Sequence, residues 1–90
     1  MPFARVVSFE AATEERVARL REEMRGDRPP DEIPATELIL LHDPAAERAL
    51  VILFFETAED YARGDEVLDA MPAGETPGRR TSVTRYEVAL

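Results

Sequence analysis

Residues 49 to 55 read Ala-Leu-Val-Ile-Leu-Phe-Phe without a polar interruption, and residues 38 to 41 read Leu-Ile-Leu-Leu. Short apolar runs of branched and aromatic residues, bounded by turn signals, are strands rather than helices. A strand sends successive side chains to opposite faces of its sheet. Leu38 and Leu40 therefore oppose Ile39 and Leu41, while Leu50, Ile52 and Phe54 oppose Val51, Leu53 and Phe55. Both faces of these strands are apolar. Each face needs a cover, and that requirement limits what a chain of 90 residues can fold into.

The rest of the chain supplies one cover. Residues 3–10 alternate Phe3, Arg5, Val7, Phe9 against Ala4, Val6, Ser8, Glu10, which predicts a strand. Thr13 is an N-cap for a helix over roughly 13–25, with Glu14 and Glu15 in its first turn and Val17, Leu20 and Met24 as its apolar stripe. Arg25 and Gly26 close it. A Pro-rich loop over 26–35 leads to strands at 36–42 and 49–55, joined by Asp-Pro-Ala-Ala-Glu-Arg as a hairpin. Thr57 caps a second helix whose buried side is Tyr61, Leu68 and Met71 with Val67 or Gly64. Gly64 either admits a close neighbour or marks a break. A loop over 72–80, with Pro77-Gly78 suited to a type II turn, precedes a closing strand from Thr81. The order βαββαβ is the α+β, ferredoxin-like arrangement: four antiparallel strands with both helices on one face.

Two helices leave the second face bare. Exposing several such side chains at roughly 25 cal/mol per Å2 forfeits many kcal/mol of a stability that totals only about 5–15. A second copy, sheet on sheet in a two-fold homodimer, is the economical cover. Parity alone leaves open which face meets the helices and which the partner, because Arg5 stands among Phe3, Val7 and Phe9.

Composition narrows the chemistry. The chain has no cysteine, which excludes disulfides, thiolate catalysis and zinc–thiolate or iron–sulfur sites, and its one histidine is His42. A net charge of −8 opposes binding to nucleic acid or anionic membranes. No run approaches the length of a membrane span, and Met1 to Glu10 lacks the features of a secretory signal, so the cytoplasm is the expected compartment. Every cation is arginine, and Lys, Asn, Gln and Trp are absent, a pattern that fits codon bias in a GC-rich genome.

With its βαββαβ order, its opening Ala-Arg-Val-Val-Ser-Phe-Glu-Ala, its doubly apolar strand ending Phe-Phe-Glu-Thr-Ala-Glu-Asp and its closing Ser-Val-Thr-Arg-Tyr-Glu-Val, the chain resembles the dimeric α/β-barrel superfamily. Within it the likeness is to the antibiotic biosynthesis monooxygenase-like group and covers nearly the whole chain. The resemblance implies a homodimer whose sheets pack into a barrel, with an apolar cleft between sheet and helices in each subunit. It also implies, for some members, cofactor-free oxidation of aromatic polyketides and, for others, haem degradation. Those activities lean on Asn and Trp, with His in the haem enzymes. This chain has neither Asn nor Trp, so neither catalytic set carries over.

The residues that could serve a ligand in such a cleft are Arg5, Phe9, Phe54, Phe55, Tyr61, Tyr86 and Arg85. Tyr61 and Tyr86 could present phenol groups, though packing is the commoner role of such residues. Arg5 or Arg85 could clamp a carboxylate or enolate; the structural alternative is an ion pair with Glu10, Glu37 or Glu87, across the dimer. His42 could act as an acid or base, but its place at a strand end favours a solvated, structural role. Gly74 to Arg80 suggests an anion nest yet lacks the context of a phosphate loop, which favours a surface turn. The carboxylate pairs Glu14/Glu15, Glu22/Glu23, Glu59/Asp60 and Asp65/Glu66 are expected mostly on solvated helix faces. No metal, haem or other cofactor is expected. The reading is a small dimeric binding module for an apolar or aromatic ligand; the alternative is a cofactor-independent monooxygenase-like enzyme acting on an aromatic metabolite.

Overall fold

Alternation over residues 3–10 makes the strand on which the sheet is assembled. In the computed structural model, which describes residues 2–23, 33–70 and 76–89, this strand is β1 (Phe3–Glu10). Its successors are α1 (Glu14–Glu23), β2 (Glu37–Asp43), β3 (Arg48–Phe55), α2 (Ala58–Asp69) and β4 (Arg79–Glu87). They form a four-stranded antiparallel sheet in the order β2-β3-β1-β4. That is the expected α+β, ferredoxin-like order. Met24, Arg25, Gly26 and Met71, expected in helix stripes or caps, lie outside the described residues. No described helix is long and apolar enough to cross a membrane.

Both N-caps act as their sequences require. The Thr13 hydroxyl accepts from the Arg16 amide at 3.3 Å, and the Thr57 hydroxyl accepts from the Asp60 amide at 3.0 Å. Val17, 1% exposed, carries α1 onto Val7, Phe9 and Ala49. Tyr61 carries α2 onto Leu53 and Phe55. Both helices therefore cover the face formed by the odd-numbered residues of β1 and β3, which settles the parity that the sequence left open.

The last strand begins two residues earlier than expected. Arg79 and Arg80 belong to β4, opposite Glu10 and Phe9. A β-bulge is the reason: Ser8 pairs with Ser82 but Phe9 pairs with Arg80, so Thr81 is the extra residue and the side-chain alternation inverts across it. Gly78 does not take the left-handed φ of a type II turn. It is needed because a Cβ there would collide with the carbonyl oxygen of Glu10.

Gly64 permits close approach rather than a break. α2 runs through it without interruption, and a Cβ at this position would lie 2.5 Å from Cε1 of the fully buried Phe55 ring. Gly64→Ala gains about 1 kcal/mol of helix propensity but overpacks a filled core at a cost of about 1–3 kcal/mol. Urea unfolding at fixed protein concentration is expected to show a net loss of up to about 2 kcal/mol; a gain would mean that the Phe55 ring gives way freely.

Candidate functional site

Arg5 is the buried charge among the described residues, 2% exposed on the helix-facing side of β1. Its Nε donates to Asp65 Oδ1 at 2.8 Å and its Nη2 to Asp69 Oδ1 at 3.1 Å. The two carboxylates stand one turn apart on α2, so a single guanidinium engages both. This corrects the expected partners Glu10, Glu37 and Glu87, and it takes Asp65 off the solvated face. The structural reading of Arg5 is the one observed. Because the bulge turns Arg80 to the same side, Arg80 also reaches Asp69 Oδ1, at 2.8 Å.

Arg85 lies directly opposite Arg5 in the β1–β4 register. Like charges in that position repel. Arg85 is held instead over the rings of Phe3 and Tyr61, 4.7 and 5.3 Å from their centroids, where the aromatic faces attract a cation. Tyr61 also packs edge-on against Phe55 at 5.4 Å. Burial pushes its phenol above the ordinary tyrosine range, and the Asp65 carboxylate acts in the same direction. Tyr61 stays protonated. Arg5, Phe9, Phe55, Tyr61 and Arg85 thus share the helix side, where each packs in the core, stacks on an aromatic ring or pairs with carboxylates; Val83 of β4, on the same side opposite Val7, is 39% exposed.

His42, at the sheet end, places Nε2 2.8 Å from the carbonyl oxygen of the fully buried Ala12. A carbonyl only accepts, so Nε2 donates. The Ala12 amide in turn donates to Glu47 O at 2.7 Å. The flanking Ala11 and Glu47 take the left-handed φ values 54° and 52°, strained for non-glycine residues. His42 therefore ties the β1–α1 connection to the β2–β3 hairpin, a structural role and less solvated than expected. Of the Gly74 to Arg80 segment, Gly74 and Glu75 lie outside the described residues; its two arginines are engaged in ion pairs, Arg79 with Glu10 at 2.6 Å and Arg80 with Asp69.

The opposite face differs in character. Phe54 and Tyr86 point there, away from the other ligand candidates. Columns on β2 and β3 present Ile39, Leu41, Leu50, Ile52 and Phe54; columns on β1 and β4 present Ala4, Val6, Ser8, Ser82, Thr84 and Tyr86. None of the even-numbered β1 or β3 residues enters a core cluster, although the small Ala4 is buried at 6% exposure. Leu41 is 49% and Leu50 36% exposed. At the end of the sheet nearest the hairpin a concavity of about 510 Å3 is lined by Leu41, Leu50, Ser8 and Ser82, by the charged Glu10, Asp43 and Arg48, and by the helix-side Phe9, His42 and Ala49. Sequence reasoning missed the serines here, and the Asp65–Asp69 pair on the other side. The signal for the pair was present: two aspartates at helical spacing beside Tyr61, facing the one charged residue on an apolar strand face.

The exposures of the Arg5 cluster make its energetics asymmetric. The Asp65 and Asp69 side chains are 38% and 52% exposed while the guanidinium is buried. Removing both aspartates as Asp65→Ala with Asp69→Ala strands a buried cation and is expected to cost about 3 kcal/mol. Arg5→Met leaves two solvated carboxylates and a filled space, and is expected to cost about 1 kcal/mol or less. Chemical denaturation of the two variants checks this order; the reverse order would contradict it. No family model, curated protein or solved structure matches this chain.

Proposed function

We propose that the chain is a binding module that works as a two-fold homodimer through the open face of its sheet, with a small apolar or aromatic molecule held in the concavity at the sheet end. The observation that carries this reading is the apolar open face itself. Leu41 and Leu50 are exposed beside Ile39, Ile52, Phe54 and Val6, and none of the described segments lies over them. A contiguous apolar patch of this kind on a small protein marks an interaction surface.

Size supports the same reading. Four strands about 4.8 Å apart and about 27 Å long give a face near 500 Å2 in projection. Two such faces bury about 1,000 Å2 in projection, the size at which a specific interface begins. The resemblance to dimeric α/β-barrel proteins favours the same arrangement. For the ligand, the concavity of about 510 Å3 falls within the usual range for small-molecule sites, and Leu41 and Leu50 contribute apolar surface to it beside Ser8, Ser82 and the charged Glu10, Asp43 and Arg48. In this reading the ligand sits at the end of the sheet rather than in the cleft between sheet and helices that the resemblance implies. No observation favours the oxygenase alternative, since His42 and Arg5 are both committed to structural partners.

Sedimentation at micromolar concentration is expected to give twice the chain mass of 10.1 kDa. Ile52→Lys, at the centre of the open face, is expected to abolish association while leaving the far-UV circular dichroism unchanged. A well-folded wild-type monomer would overturn the dimer. Native mass spectrometry of the purified dimer tests the ligand: extra mass lost in Leu50→Arg is the expected result, and a bare dimer that fails to take up apolar aromatic probes would overturn that part.

A further inference from the structure

Across one end of the open face runs a row of charges. In the strand order β2-β3-β1-β4 it reads Asp43, Arg48, Glu10, Arg79. Its signs alternate and its net charge is zero. Arg79 joins the row only because the bulge at Thr81 turns it onto this face, where it meets Glu10 at 2.6 Å. The opposite end of the face carries Glu37, Phe54, Ala4 and Tyr86 in the same strand order.

We infer that the two-fold axis of the dimer runs along the strands, so that the charged row of each subunit lies against the same row of its partner. This rests on the dimer proposed above. An isologous face-to-face contact between aligned sheets has its axis in the interface plane, either along the strands or across them. An axis across the strands superposes opposite ends. It would set Asp43 on Glu37, two like charges, and bury Arg48 against Phe54. An axis along the strands superposes like ends. The long Arg and Glu side chains of two neutral, alternating rows can then satisfy one another, which is the complementarity that fixes register in interfaces.

Shape points the same way. The axis along the strands reverses strand order, so the large apolar columns of β2 and β3 lie over the small and polar columns of β1 and β4. The axis across the strands keeps strand order and sets large columns on large ones, leaving a void over Ala4 and Ser8. Interfaces pack to the density of protein interiors, so the first arrangement is the one that closes.

Two single variants test the orientation. Glu10→Arg gives the row a net charge of +2 and Arg48→Glu a net charge of −2, and both positions are exposed at strand ends. Neither protein contains the compensating change within its own chain. With rows facing each other, each variant alone is expected to self-associate about tenfold more weakly than wild type, and an equimolar mixture to form a heterodimer within about threefold of wild-type affinity. If the wild type is monomeric, the dimer itself is wrong. If the wild type dimerises but both variants do so equally well, or the mixture is no tighter than its parts, the dimer stands and the axis along the strands is wrong. Should a variant fail to fold, Glu10→Cys, in a chain without other cysteines, serves instead. A bis-maleimide linker of about 10 Å is expected to join the two subunits at this position. In the crossed arrangement the two positions stand about 20 Å apart and remain unlinked.

Discussion

The fold turns on one buried guanidinium. Arg5 stands in a strand face otherwise made of Phe3, Val7 and Phe9, and a cation cannot be buried there without anionic partners. Asp65 and Asp69 provide them from consecutive turns of α2. That double contact fixes which face of the sheet the helix covers and where along β1 it lies. Gly64 lets the helix backbone close onto Phe55, and Tyr61 fills the space beside it. Arg85 and Arg80 complete the cluster, one over aromatic rings and the other on Asp69.

Once the odd-numbered residues of β1 and β3 are committed to the helices, the even-numbered ones are left outward. The strands of this sheet are apolar on both sides, so the consequence is an exposed apolar surface rather than the polar outer face of a solvated antiparallel sheet. Self-association through that surface is the proposed use of it. The bulge in β4 serves both sides at once: it gives Arg80 to the helix-side cluster and Arg79 to the charged row on the open face.

The order of elements was legible from period and capping alone, because Thr13, Thr57 and the alternation of residues 3–10 are local signals. The hairpin and its apolar strands were legible for the same reason. What local pattern could not carry was long-range pairing. The partners of Arg5 lie 60 and 64 residues away on α2, so the acidic residues expected to reach it across the dimer, Glu10, Glu37 and Glu87, were not its partners although the need for an acidic partner was right. The start of β4 was hidden because a bulge breaks alternation at the point where it would announce a strand. His42 was placed correctly at a strand end, but its bond to Ala12 depends on how the β1–α1 connection folds back over the hairpin. The ligand candidates were chosen by residue type, and the sheet divides them between its two sides.

Methyl NMR spectra recorded over a dilution series separate the two faces residue by residue. If the open face holds a second copy, the methyl resonances of Val6, Ile39, Leu50 and Ile52 shift together on dilution while those of Val7, Val51 and Leu53, packed on the helix side, stay fixed. Concentration-independent spectra, or shifts confined to the helix-facing residues, would contradict the assignment of the open face as the surface through which this protein works.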